Sequence, residues 1–175
     1  AWDITTGSSS VIIAIIDDGI DYNHEDFPSG KLWINPATDM PGYDFGGSTK
    51  LGITYYPDDD PMHEPGSAHG TATAGIAAAA SDNSLGVAGV AWSSVIMPLK
   101  VENVDGAIYD SYIANAIVFA TDNGAQVLNM SLGGPSFSTA LRDACQYAWE
   151  NGKVLVASSG NDDEPVGYPA AFPTT

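Results

Sequence analysis

Apolar positions along the chain follow two rhythms. Residues 11–16, Val-Ile-Ile-Ala-Ile-Ile, form an unbroken apolar run, mostly β-branched, that stops at Asp17-Asp18-Gly19. A run of that length without polar alternation predicts a strand buried on both faces. Similar runs at residues 95–99, 126–130 and 153–157 predict three more. Between them the rhythm lengthens to a helical one. Residues 71–80 are Ala-rich. Ile113, Ala116, Ile117 and Ala120 share one stripe of a helix over 108–123 that Gly124 stops, and a helix over 138–151 ends at Gly152 in the same way. Strands and helices alternating at this spacing predict an α/β fold, a mostly parallel sheet with helices on both faces. In that architecture, functional groups gather at the C-terminal ends of the strands.

Residues 31–67 break the pattern. They are rich in Pro, Gly and Asp and show no helical period, which predicts a long surface excursion with a short strand over 52–56. Within it, Asp58-Asp59-Asp60 lies between Pro57 and Pro61 without EF-hand spacing, so it reads as a solvated loop rather than a calcium site. Cys145 stands alone, on one helical face with Leu141, Ala148 and Trp149, and reads as a small buried hydrophobe.

Composition narrows the choice of function. The 175 residues suffice for one hydrophobic core. With 22 Asp plus Glu against 5 Lys plus Arg, a formal net charge of -17, the chain has no basic footprint for phosphates. Nucleic acid and anionic membrane surfaces are excluded as partners on that ground. No apolar run approaches the roughly 18 residues of a membrane helix.

Three features carry chemistry. Asp17 stands where a buried strand ends, shielded from solvent yet within reach of a neighbour, as orienting an imidazole requires; an Asx turn closing the strand is the plainer alternative. Asp18-Gly19 beside it is equally readable as turn chemistry. His69-Gly70-Thr71 puts a histidine at the entrance of a helix of small residues that can pack close to a sheet. Such a His acts as a base near neutral pH if a carboxylate holds its other nitrogen. Ser158-Ser159-Gly160-Asn161 follows the last predicted strand, where an Asn amide can donate to a developing oxyanion. The Gly-containing stretch Asn129-Met130-Ser131-Leu132-Gly133-Gly134 ends the preceding strand, and its backbone could pair with an extended peptide.

Taken in order, these motifs resemble those of the subtilisin-like serine proteases, the subtilases. Asp17-Asp18-Gly19 is similar to the family's catalytic Asp motif, His69-Gly70-Thr71 to its His motif and Ser158-Ser159-Gly160-Asn161 to its oxyanion motif. The resemblance implies a serine endopeptidase working by an acyl-enzyme. Asp17 would orient His69, His69 would deprotonate a serine, and Asn161 would stabilise the oxyanion. Substrate would lie along Gly106, Ala107 and Ile108 on one side and Ser131, Leu132 and Gly133 on the other, with Ser158, Ser159 and Gly160 flanking the first pocket. A structural calcium would be held by Asp26, Asn83 and the carbonyls of Ser81, Leu85 and Val87, an oxygen-only set that suits the ion. The resemblance also implies secretion to the extracellular space, a protein or peptide substrate and a pro-peptide as a further partner.

The chain departs from the family pattern in four places. Ala72 stands where a second His is common, the stretch between Asp17 and His69 is longer, and the N-terminal segment that wraps the calcium loop is not evident ahead of Ala1. The Gly-Thr-Ser-Met-Ala type segment that carries the nucleophile is also not found. Residues 1–175 are therefore expected to be an incomplete catalytic domain, truncated before the nucleophile helix and inactive alone, with its C-terminal part on the same gene product or a second chain. The alternative is a non-catalytic peptide-binding or structural half-domain. A phosphatase using Asp17 and Asp18 is disfavoured, because adjacent residues leaving a strand diverge.

Overall fold

The computed structural model describes residues 2–161 and 163–175. The first apolar run is β1 (Ile12–Asp17), and it sits at the centre of a five-stranded sheet. Its side chains alternate as strand geometry demands. Ile13 and Ile15 join Ile20, Phe27, Ala74 and Ala78 in one core, while Ala14 and Ile16 join Met97, Leu99, Ile117 and Leu128 in the other. Both faces are buried, which is why the run carries no polar alternation.

The remaining elements follow in chain order: β2 (Tyr43–Asp44), the hairpin strands β3 (Ser48–Lys50) and β4 (Ile53–Tyr55), α1 (His69–Ala78), β5 (Val95–Lys100), α2 (Asp110–Asp122), β6 (Val127–Met130), α3 (Thr139–Glu150) and β7 (Val154–Ala157). The sheet order is β2-β5-β1-β6-β7, and each neighbouring pair runs parallel. α1 covers one face through Gly70, Ala74, Gly75 and Ala78. α2 and α3 cover the other through residues such as Ile113, Ile117, Leu141 and Cys145. The expected α/β layering is thus observed. α2 and α3 are trimmed at both ends relative to the prediction, α1 is shifted to begin at His69 and end at Ala78, and Ile108, expected to open α2, instead bridges to Glu102.

The excursion over residues 31–67 is less superficial than its composition suggests. Its main chain is stitched to β5: Ile96 N–H donates to Lys31, Trp33 N–H to Ile96 and Phe45 N–H to Lys100. Two of its residues form β2, an edge strand of the main sheet. Trp33, Tyr43 and Phe45 all lie against Phe119 of α2. The stitching also explains why Pro98 is tolerated inside β5. Ile96 and Lys100, on either side of it, make their bonds toward this edge, so the position between them is one where a missing N–H costs least. The predicted strand over 52–56 is β4, paired antiparallel with β3. The Asp run is anchored rather than free, since Asp58 and Asp44 exchange main-chain bonds of 2.9 and 3.0 Å.

Cys145 is fully buried, and burial pushes its thiol up to about 11, as a packing residue requires. No helix among the described residues is long and apolar enough to cross a membrane.

Candidate active site

Parallel strands deliver their C-terminal ends to one edge of the sheet, and the candidate residues collect there. Asp17 is the last residue of β1 and pairs in register with Lys100 at the end of β5. Its side chain is buried, and Oδ1 accepts from the Asp18 N–H at 2.8 Å and from Nδ1 of His69 at 2.7 Å. The proton shared on Nδ1 leaves Nε2 as the free lone pair of a neutral imidazole. The His69 side chain is 59% exposed, so Nε2 is reachable from solvent.

The electrostatics suit a base. The hydrogen bond and charge of Asp17 hold the His69 imidazole above its ordinary value. Burial pushes the Asp17 carboxyl up, and the bond from His69 only partly offsets this. Asp17 Oδ2 is buried with no hydrogen-bond partner among the described residues. The carboxylate is therefore kept for the imidazole at a cost in solvation.

Two glycines let this corner close. A Cβ on Gly70 would lie 2.3 Å from the Gly19 carbonyl oxygen, and a Cβ on Gly19, at φ 111°, would lie 2.7 Å from the His63 backbone. Thr71 adds a tie, its Oγ1 accepting the Asp21 N–H at 2.9 Å. Both oxygens of Asp18, open in the sequence to a plain turn reading, accept from the start of α1. Behind this corner, buried Lys100 bridges Glu64 at 2.8 Å and Asp44 at 3.1 Å. Burial raises the Asp44 carboxyl to about 6 in spite of that lysine.

The other predicted residues lie along the same edge. Ser131, Leu132 and Gly133 follow β6, and Ser158, Ser159, Gly160 and Asn161 follow β7. The Ser158 hydroxyl donates to the Leu132 carbonyl at 3.2 Å and joins the two segments. Asn161 is exposed, and no hydrogen bond links it to Asp17 or His69 among the described residues. Gly134, expected to be available to a peptide, is taken by the chain itself: it and Tyr168 exchange main-chain bonds of 3.0 and 2.8 Å. Gly106, Ala107 and Ile108 lie on a loop folded around Asn103, whose Oδ1 accepts from Asp105 and Ala107. Asn103 escaped the sequence reading because a lone Asn in a loop has no periodic signature. Ile108, Leu132 and Gly133 together line a cavity of about 140 Å³, so the two edges face a common space.

The calcium candidates gather at the far end of α1. Asp26 is buried, and its oxygens accept from Nδ2 of Asn83 at 3.1 Å and from the Val87 N–H at 2.8 Å. The Leu85 N–H donates to Oδ1 of Asn83 at 3.1 Å. A Cβ on Gly86 would lie 1.7 Å from Asp26 Oδ2, so the loop wraps the carboxylate as closely as backbone can. A buried carboxylate and an amide oxygen held on one loop are the donor types that a hard, oxygen-seeking cation takes.

The chain is 40% identical over 173 residues to the thermophilic serine proteinase of Bacillus sp. (strain AK1), covering 98% of this chain and 38% of that protein. It is 38% identical over 173 residues to thermitase of Thermoactinomyces vulgaris, covering 98% and 55%. Among solved structures, a protease of Pseudoalteromonas arctica PAMC 21717 superposes with a TM-score of 0.78 at 32% identity, over 93% of this chain and 52% of that one. Fervidolysin from Fervidobacterium pennivorans, a keratinolytic enzyme related to subtilisin, gives 0.76 at 33% identity, over 98% and 24%. The chain spans from 24% to 55% of the length of these relatives. A model of the subtilase family matches residues 8–175, and with these relatives it establishes that the chain belongs to that family.

Proposed function

We propose that these residues furnish the base, its orienting acid, the oxyanion donor and the substrate edges of a serine endopeptidase. The observation that carries this reading is the 2.7 Å bond between Asp17 and His69 Nδ1, which leaves Nε2 open on a largely exposed imidazole. In the reaction, Nε2 takes the proton of a serine hydroxyl as its oxygen attacks the peptide carbonyl, and Asp17 stabilises the imidazolium formed. The Asn161 amide donates to the oxyanion, and His69 returns the proton to the leaving amine. Water then repeats the sequence to release the acyl group.

The serine is supplied by polypeptide outside residues 1–175, so this stretch alone is inactive. Among the described residues no serine hydroxyl bonds to His69. Ser67 is bound to Asp18, Ser131 to Asn129 and Ser158 to Leu132. Protein or peptide substrate lies between Gly106, Ala107 and Ile108 and the Ser131, Leu132 and Gly133 edge, where the shared cavity supports a bound side chain. Calcium, held by Asp26, Asn83 and the carbonyls of Ser81, Leu85 and Val87, would cross-link the loop to the body without taking part in the reaction. The acidic composition supports an extracellular setting, with a pro-peptide among the partners.

The test is casein hydrolysis by the full-length protein. His69→Ala is expected to lower the rate by about 10⁴-fold or more. An unchanged rate overturns the assignment of His69 as the base, whereas a full-length protein without hydrolysis favours a non-catalytic module.

A further inference from the structure

Helix α1 begins without a cap of its own. Ala68, at the N-cap position, has no side chain that can accept a bond, and the first turn carries no acidic residue. The orphan N–H groups of a helix start are normally satisfied locally. Here the acceptor comes from the residue that follows β1. Asp18 Oδ1 accepts the Gly70 N–H at 2.6 Å, Oδ2 accepts the His69 N–H at 3.0 Å, and the Ser67 hydroxyl also donates to Oδ2. Asp18 is 6% exposed, so this carboxylate acts with little water around it.

The arrangement bears on the base because His69 is the first residue of α1. The positive end of a helix disfavours a second positive charge, so an uncompensated start would weaken this imidazole as a proton acceptor. We propose that Asp18 is a positioning residue: it clamps the main chain of His69 against Asp17 and offsets the positive end of α1, so that the imidazolium is stabilised from behind as well as through Nδ1. This inference rests on the endopeptidase reading above and adds a second carboxylate to it. The charged groups facing this corner are Asp17 and Asp18 from the end of β1 and Glu102 from the turn after β5, with Glu64 and Lys100 behind Glu102. Of these, Asp17 and Asp18 act on His69, and both favour its charged form.

The experiment is the pH profile of kcat/KM for the full-length protein on a peptide substrate. Asp18→Asn and Asp18→Ser are both neutral and both able to cap, and each is expected to move the acid limb down by about 0.5 pH unit along with any loss of rate. Ser67→Ala keeps the charge and the cap, so its limb stays in place or rises. A neutral variant that loses rate with its limb unmoved makes Asp18 a structural cap only and overturns the proposal. Should neither neutral variant fold, a limb that falls in Ser67→Ala overturns it, and one that stays or rises upholds it. Hydrolysis surviving His69→Ala overturns the assignment of His69 as the base on which this inference rests, whereas an inactive His69→Ala with an unmoved limb in the Asp18 variants overturns only this inference.

Discussion

The corner where β1 meets α1 and the open ends of β6 and β7 lie on the same sheet edge and are built in opposite ways. At the corner, Asp17 is bound to His69, Asp18 caps the helix, and Gly19 and Gly70 are packed to backbone contact. At the open ends, Asn161 is exposed and Gly134 and Gly160 have nothing within 4 Å of where a Cβ would stand. The corner has both halves of each interaction within this chain and is preorganised by them. At the open ends the Gly134 main chain is paired with Tyr168, and on the endopeptidase reading proposed above the exposed Asn161 amide is left for a substrate carbonyl. On that reading, a closed corner for proton transfer and an accessible edge for the peptide is the division that catalysis by differential binding asks for.

The largest break in that comparison is expected from Asp17→Asn. It removes the charge that fixes the imidazole tautomer and should lower kcat of the full-length protein by about 10⁴-fold. Because burial already strains the carboxylate, thermal unfolding at pH 7 should show no loss of stability. Asn161→Ala, at the open end, should lower kcat by about 10²–10³-fold with KM little changed, since its donor is used only once the oxyanion forms.

Next in size is the far end of α1, where Asp26 anchors the loop. Chelation of calcium is expected to lower stability by about 3 kcal/mol relative to protein at roughly a hundred times the dissociation constant, read as a shift in Tm. Asp26→Asn should abolish that shift. Packing separates the two regions at smaller scale. Gly70→Ala, with its Cβ 2.3 Å from the Gly19 carbonyl oxygen, should cost about 1–3 kcal/mol in urea denaturation, whereas Gly134→Ala, in open space, should cost under about 0.5 kcal/mol.

The smallest effect is a contrast in pH dependence. His69 is held above its ordinary value near 6.5, so activity should rise with pH through the folded value as the base loses its proton. Stability should move the other way in that window. The contribution of the Asp17–His69 pair is full below the unfolded value and is lost as pH climbs through the folded one. Asp17→Asn should flatten the stability change and shift the acid limb downward.

Much of this was legible in the chain itself. β1 announced itself because a strand buried on both faces has no reason to alternate. Gly124 and Gly152 marked the ends of α2 and α3 because each lies at positive φ just past the helix, where Gly costs least. Asp17 and His69 were singled out from motif order, and the structure joins them by a 2.7 Å bond, whereas Asn161, singled out in the same way, stands exposed past β7. β2 was not, because two residues have no period and become a strand only by pairing with β5. Nor was the burial of Lys31, whose Nζ is satisfied by the carbonyls of Trp92 and Ser94 across more than sixty residues of sequence.

Asp17 and Asp18 mark where local information ends. Residue order alone settled that a carboxylate leaves the central strand just before a glycine turn and that a histidine opens a helix of small residues. Successive side chains at a strand end point apart, so one of the two acids had to face away from the imidazole. Which acid met His69 and which met the amides of α1 was decided by the packing of α1 onto β1, through contacts between residues about fifty positions apart. Periodicity and turn chemistry are local and survive in the sequence, whereas a cap supplied from another element exists only once the chain has folded around it.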